Sequence, residues 1–175
     1  MSARSRRAWG WHRLSDEWAA RVVAAAGVRP GELVLDIGAG DGALTAHLLR
    51  AGARVIAVEL NPRRARVLRA RFPEVTVLEL DATELRLPGR PFRVVANPPY
   101  GITAGLLRSL LAPESRLVAA DLVLQRAVVR KQAAGATGGR APTRFFTTAG
   151  LMVPRQAFVP PPRVDSGVLV VRRRY

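Results

Sequence analysis

The 175-residue chain has no cysteine, only two histidines, and one lysine, Lys131. Without thiols, a disulfide framework and a thiolate metal site are both excluded, and His12 and His47 alone offer too little to hold a metal. No metal is expected. Long apolar runs are missing as well. Residues 117–124 are interrupted by Asp121 and too short to cross a bilayer, and Arg4, Arg6 and Arg7 have no apolar stretch behind them of the kind a signal peptide needs. A cytoplasmic protein with no membrane partner is the expectation. Acid is scarce too, with 13 Asp+Glu against 28 Lys+Arg and a formal net charge of +15. So large an excess on a small body points to a polyanionic partner, because each neutralised phosphate releases counterions and adds salt-sensitive affinity. Hydrophobic residues make up 49% and charged residues 23%, so the chain can bury a core and is not a disordered basic tail. The length suits one domain over residues 1–175, expected as a monomer, with a basic segment at residues 1–14.

Short aliphatic runs alternate with helix-like stretches, the pattern of a parallel sheet flanked by helices. Strands are predicted at residues 32–37, 54–59, 75–80, 92–96, 117–124 and 167–171. Helices are predicted at residues 42–51, 62–71 and 103–111, and a basic helix carries Arg126, Arg130 and Lys131. Pro62 fits the first turn of its helix, and Ala65, Leu68 and Phe72 share its sheet-facing side. Residues 135–142 are rich in glycine and read as a mobile loop, flanked by Lys131, Arg140 and Arg144. A short apolar run follows at residues 151–153.

The first predicted strand ends in Asp36-Ile37-Gly38-Ala39-Gly40-Asp41-Gly42, and a helix opens at once. Glycines there permit a sharp turn and let a ligand approach the backbone. The spacing is GxGxG, whereas a dinucleotide fingerprint is GxGxxG and would place a pyrophosphate at the helix start. Asp36 and Asp41 would repel a pyrophosphate and suit a ligand with a positive centre and an ammonium group, as S-adenosyl-L-methionine has. Glu59 and Asp81 close the next two strands at the edge where open α/β sheets bind ligands. A carboxylate at Glu59 can accept both ribose hydroxyls, and Asp81 can accept the amine of the cofactor's adenine.

After the fourth strand stands Asn97-Pro98-Pro99-Tyr100. The exocyclic amine of adenine is a poor nucleophile because its lone pair is delocalised into the ring. The side-chain oxygen of Asn97 and the carbonyl of Pro98 can each accept one amino hydrogen, favouring the pyramidal nitrogen of the transition state. The two prolines stiffen the backbone that carries that carbonyl. Tyr100 offers a flat face for the target base. Similar tetrapeptides serve enzymes that methylate adenine or cytosine amines, guanine in RNA, or glutamine in proteins.

With these motifs the chain resembles the rRNA adenine N6-methyltransferases, the Erm macrolide-resistance enzymes and the KsgA-type small-subunit dimethyltransferases, from about Trp9 to Arg174. The discriminating stretch is residues 153–166, VPRQAFVPPPRVDS, which is similar to the family's VPxxxFxPxPxVxS signature. The resemblance implies a Rossmann-like class I S-adenosylmethionine-dependent methyltransferase: α/β, with a seven-stranded, mostly parallel sheet and helices on both faces. It implies a flipped adenine sandwiched between Tyr100 and Phe158, with Asn97 and Pro98 serving the amine. It also implies cofactor contacts at His12, Leu14, Gly38, Gly40, Glu59, Leu60, Asp81, Ala82 and Asn97.

Three departures stand out. Trp11-His12-Arg13-Leu14 occupies the place of the family's QNFL, so only the leucine is kept. Pro98 replaces a branched aliphatic residue or leucine. Family members usually continue into a small helical domain that helps bind RNA, whereas this sequence ends at Tyr175. RNA affinity is then expected from Arg4, Arg6, Arg7 and Arg13, the helix of residues 63–71, and Arg126, Arg130, Lys131, Arg140 and Arg144. The resulting expectation is methylation of an adenine N6 amine in rRNA, with 23S rRNA and macrolide-type resistance preferred. Gly101-Ile102-Thr103 and the arginine-rich N-terminus look more like the Erm branch. Alternatives are a 16S rRNA adenine dimethyltransferase, a DNA adenine methyltransferase, or a non-catalytic RNA-binding module of the same fold.

Overall fold

The computed structural model describes residues 11–135 and 144–175. Most of the basic N-terminal segment, with Arg4, Arg6 and Arg7, and nearly all of the glycine-rich loop, with Arg140, lie outside the described residues.

The chain runs β1 (Arg13–Leu14), α1 (Asp16–Ala26), β2 (Leu33–Ile37), α2 (Ala43–Arg50), β3 (Arg54–Val58), α3 (Pro62–Arg71) and β4 (Thr76–Leu78). It continues through β5 (Phe92–Ala96), α4 (Thr103–Leu110), β6 (Leu117–Gln125), α5 (Arg126–Ala133), β7 (Phe145–Val153), β8 (Phe158–Val159) and β9 (Ser166–Arg173). Seven strands form one sheet in the order β4-β3-β2-β5-β6-β9-β7. Pairings from β4 through β6 are parallel, and β9 runs antiparallel to both β6 and β7. This is the doubly wound, mostly parallel arrangement expected. Because side chains alternate across a strand, Val34, Val55 and Val95 face one core with α1, α2 and α3. Leu35, Val94 and Leu122 face the other with α4 and α5.

The strand and helix pattern read from the sequence starts at residue 32 and omits α1. Its signals are nevertheless present. Ser15 caps the helix by accepting from the Trp18 N–H, Ala19, Val22, Val23 and Ala26 form its buried stripe, and Gly27 closes it with φ 63°. Arg93, on β5, adds a cap by donating to the Ala26 and Gly27 carbonyls. The second correction is β7, nine residues long where only the run at 151–153 was expected. Its pattern is hard to read because most of this edge strand is exposed. Asp121, which interrupts the apolar run of β6, is 2% exposed and is held by a two-pronged bond from Arg172 of β9. No helix among the described residues is long and apolar enough to cross a membrane.

The order β3-β2-β5 sets the carboxyl ends of three strands side by side, where the winding direction reverses and open sheets hold ligands. Asp36 braces this edge. Its Oδ2 accepts the Thr45 hydroxyl at 2.7 Å, joining β2 to α2 across the glycine turn. Its Oδ1 has no partner in the protein. Burial pushes its pKa up to about 7, opposed by the Thr45 bond and reinforced by the Glu59 carboxylate.

In the unfolded chain this group titrates near 3.8. Between about pH 4 and about pH 7, therefore, unfolding releases a proton, and stability falls with rising pH by up to about 1.4 kcal/mol per unit before levelling off. Asp36→Asn removes this contribution. Thermal melts at about pH 5 and about pH 8 should show the variant gaining on the wild type as pH rises, and an equal difference at both would refute the assignment.

Candidate functional site

The turn after β2 is built from the sheet outward. The Gly38 and Ala39 N–H groups donate to the Val58 carbonyl, which folds the turn over the end of β3. Gly38 has φ 75°, and a Cβ there would stand 2.9 Å from Pro99 Cδ. Gly40 has φ 61°, and a Cβ there would meet the Trp11 Nε1 at 2.6 Å. Left-handed backbone and close approach together leave both places to glycine. Glu59, just past β3 and 6% exposed, accepts from the Gly40 N–H at 2.7 Å and from the Asn61 N–H at 3.0 Å. It ties two loops together while each oxygen keeps a free lone pair. Asp81 lies three residues beyond the end of β4 and caps a 3₁₀ turn at Ala82–Glu84. Its Oδ1 accepts from the Thr83 N–H and hydroxyl, leaving Oδ2 for another donor.

Asn97 follows β5 directly. Its Nδ2 donates to the His12 backbone carbonyl at 2.9 Å. A carbonyl can only accept, so the amide nitrogen faces His12 and Oδ1 remains available as an acceptor. The Tyr100 hydroxyl lies 2.9 Å from the hydroxyl of Ser166, a fully buried residue at the start of β9. Its ring is stacked with that of His12, at 6.1 Å between centroids and 24° between planes.

These groups converge on one cleft of about 790 Å³, including the part open to solvent. Of the residues expected in the site, His12, Gly38, Glu59, Leu60, Asp81, Ala82, Asn97, Pro98 and Tyr100 all line it. Trp11, Val58, Arg64, Leu80, Pro99 and Ile102 line it too, although none of them was among the expected site residues. Trp11 carries the Arg64 guanidinium over its ring, 3.8 Å from the centroid. No spacing links residues so far apart in the chain, and only folding reveals this contact.

Three expected residues sit elsewhere. Phe158 is 1% exposed in the core, opposite Leu14 in the β1–β8 pair, and does not line the cleft. Leu14, equally buried, borders a small adjoining cavity that it shares with Asp36, Asn97 and Trp11. Gly40 lies behind the Trp11 ring. The reading of Asp36 and Asp41 as paired anions for a cationic ligand needs correction. Asp41 is engaged by Arg13 at 2.9 Å, and burial holds Asp36 largely uncharged below about pH 7. Several arginines expected to hold RNA also have partners within the protein. Arg13 pairs with Asp41, Arg69 pairs with Glu79, and Arg144 donates to the Pro113 carbonyl. Arg63, Arg66, Arg126, Arg130 and Lys131 are exposed and make no ion pair among the described residues.

The cleft fits S-adenosyl-L-methionine on its own geometry. Leu60, Leu80, Ala82 and Pro98 give an apolar slot for a purine, with Asp81 Oδ2 as an acceptor nearby. Glu59 offers lone pairs at the sheet edge. Asp36 Oδ1 has no partner in the protein and belongs to a residue that lines the adjoining cavity, where a polar group of a ligand would satisfy it. Among the described residues no group of three or more His, Cys, Asp or Glu could hold a metal ion. In Glu59→Gln, one of the two backbone N–H donors must face an amide NH₂ in either orientation. That leaves a buried donor unpaired, and it also takes from the ligand's hydroxyls one of their two carboxylate acceptors, a loss in binding of about 1–3 kcal/mol. Calorimetric titration should show S-adenosylmethionine affinity reduced by about 5- to 100-fold, and unchanged affinity would exclude Glu59 from the cofactor site.

Known proteins resemble this chain in sequence and in fold. The model of the ribosomal RNA adenine dimethylase family matches residues 4–175. A ribosomal RNA small subunit methyltransferase A from Thermosynechococcus vestitus is 36% identical, over 97% of this chain and 70% of that protein. The mycinamicin-resistance protein MyrB of Micromonospora griseorubida is 38% identical, over 89% of this chain and 50% of that protein. Among solved structures, the 23S rRNA methyltransferase ErmE superposes with a TM-score of 0.82 at 31% identity, covering 94% of this chain and 70% of that one. The chain spans about two thirds of the length of the curated relatives it matches. A class I methyltransferase sheet, a glycine turn braced by Glu59 and the tetrapeptide Asn97-Pro98-Pro99-Tyr100 at the end of β5 thus occur together in a chain that belongs to the ribosomal RNA adenine dimethylase family.

Proposed function

We propose that this protein transfers a methyl group from S-adenosyl-L-methionine to the N6 amine of an adenine in 23S rRNA, and that the modification confers resistance to macrolide-type antibiotics. The observation that carries the chemistry is the bond from Asn97 Nδ2 to the His12 carbonyl, which leaves the amide oxygen as an acceptor in a cleft shared with Tyr100 and Pro98. Gly38, Glu59, Leu60, Asp81 and Ala82 would hold the cofactor, with Gly40 and Leu14 supporting them from behind. Bound there, S-adenosylmethionine supplies a methyl group made electrophilic by its sulfonium.

The protein's own part is positioning and polarisation. Asn97 Oδ1 and the Pro98 carbonyl accept the two amino hydrogens, so the lone pair is drawn out of the ring and onto nitrogen as the new bond forms. Tyr100 supplies a stacking face and holds the amine within about 3–3.5 Å of the incoming carbon. No general base is required, because the methylated nitrogen is strongly acidic until it loses its proton to water. The free arginines of α3 and α5 suit a phosphate backbone.

The 23S preference is supported by the likeness to ErmE and by the 38% identity to MyrB, a protein named for mycinamicin resistance. A second reading, methylation of 16S rRNA, is favoured by the several small-subunit methyltransferases among the relatives. Mass spectrometry of nuclease digests of both rRNAs after incubation with the protein and S-adenosylmethionine decides between them. A methylated adenine within 23S rRNA is expected, and one confined to 16S rRNA establishes the second reading. Asn97→Ala should lower methyl transfer to rRNA by about 100-fold or more while RNA retention on filters stays within about twofold. An active variant would remove Asn97 from the chemistry, and RNA retention by a wild type that transfers nothing would favour a binding module.

A further inference from the structure

We infer that the target base is held between the rings of Tyr100 and His12, so that His12 supplies the second stacking face for the substrate. The inference rests on the adenine-methylating function proposed above and deepens it.

Both rings line the same cleft as Asn97 and Pro98. They already stand nearly parallel, 24° apart, with centroids separated by 6.1 Å. A flat base inserted between two faces needs a contact of about 3.5 Å on each side, about 7 Å in all, so the two rings part to admit it while keeping their facing orientation. Each ring is fixed from outside the gap. The Tyr100 hydroxyl is bonded to buried Ser166, and His12 Nδ1 lies 2.8 Å from the Pro160 carbonyl. Since that carbonyl only accepts, Nδ1 carries the proton, and the imidazole presents its π-face to Tyr100.

His12 is also tied to the reacting end of the site. Its backbone carbonyl receives the Asn97 amide, so the second face and the acceptor oxygen are registered through one residue. Phe158 is not placed for this task. It is 1% exposed, in the core opposite Leu14. Where similar sequences carry an asparagine, His12 brings an aromatic face of its own, and its backbone role would survive any side-chain change.

The test compares His12→Leu with His12→Phe, one removing the flat face and the other keeping it. Protein-free total rRNA is the substrate, at saturating S-adenosylmethionine, and cofactor affinity is measured by calorimetric titration. His12→Leu should lower kcat/KM for rRNA by about 5- to 100-fold, the equivalent of one base–aromatic stack. His12→Phe should recover most of the rate, and both variants should bind S-adenosylmethionine within about twofold of wild type, which also shows that they fold. Equal activity of the two variants overturns the clamp while leaving the methyltransferase reading intact. So does a loss of cofactor affinity that tracks the rate in both, since His12 would then serve the cofactor. A wild type that methylates no rRNA overturns the function and the clamp together.

Discussion

A single hydrogen bond, from the Asn97 amide to the His12 carbonyl, decides what the cleft presents to a substrate. An asparagine at a strand end can turn either an oxygen or an NH₂ into a pocket, and the two have opposite consequences for an amine. Here the choice is made by a backbone atom that cannot donate. The constraint reaches across 85 residues of sequence. It therefore depends on β1 being anchored, and β1 is anchored by its antiparallel pairing with β8. Ser15, one residue on, adds a bond to the Ala157 carbonyl and begins α1. The N-terminal strap, the signature segment around Phe158 and the tetrapeptide form one mechanical unit.

The second organising feature is how the acids are used. Only 13 carboxylate residues stand in a chain of net charge +15, and those near the cleft have structural work beside any ligand role. Glu59 cross-links two loops through backbone N–H groups, Asp81 caps a 3₁₀ turn, Asp41 neutralises Arg13, and Asp36 is buried and largely protonated below about pH 7. Along α3, Ala65 and Leu68 are buried while Arg63, Arg66, Arg69 and Arg71 face outward, so hydrophobic burial itself arranges the positive charge on one side.

Much of the fold was legible because parallel strands buried on both faces are written as short aliphatic runs, as at Leu33–Ile37 and Phe92–Ala96. Where burial is partial the signal weakens. The edge strand Phe145–Val153 carries threonines, alanine and glycine on exposed positions and was visible only at its apolar end. Helix Asp16–Ala26 has clear capping signals but lies between a basic leader and the first strong strand, outside the alternation that organised the rest. Of the expected site, the strand-end residues Gly38, Glu59, Asp81 and Asn97 were readable, because a parallel sheet places the carboxyl ends of its strands on one edge whatever the loops do.

By itself, the sequence determined the α/β class, the positions of the strand ends and the chemical types gathered there, since these follow from local hydrophobic pattern and motif spacing. Tertiary structure alone decided which way the Asn97 amide points and that Trp11 lies under Arg64. It also placed Phe158 in the core and set His12 opposite Tyr100. Each of these depends on contacts between residues tens of positions apart, and no local propensity encodes the distance or the angle between two side chains brought together only by the packed sheet.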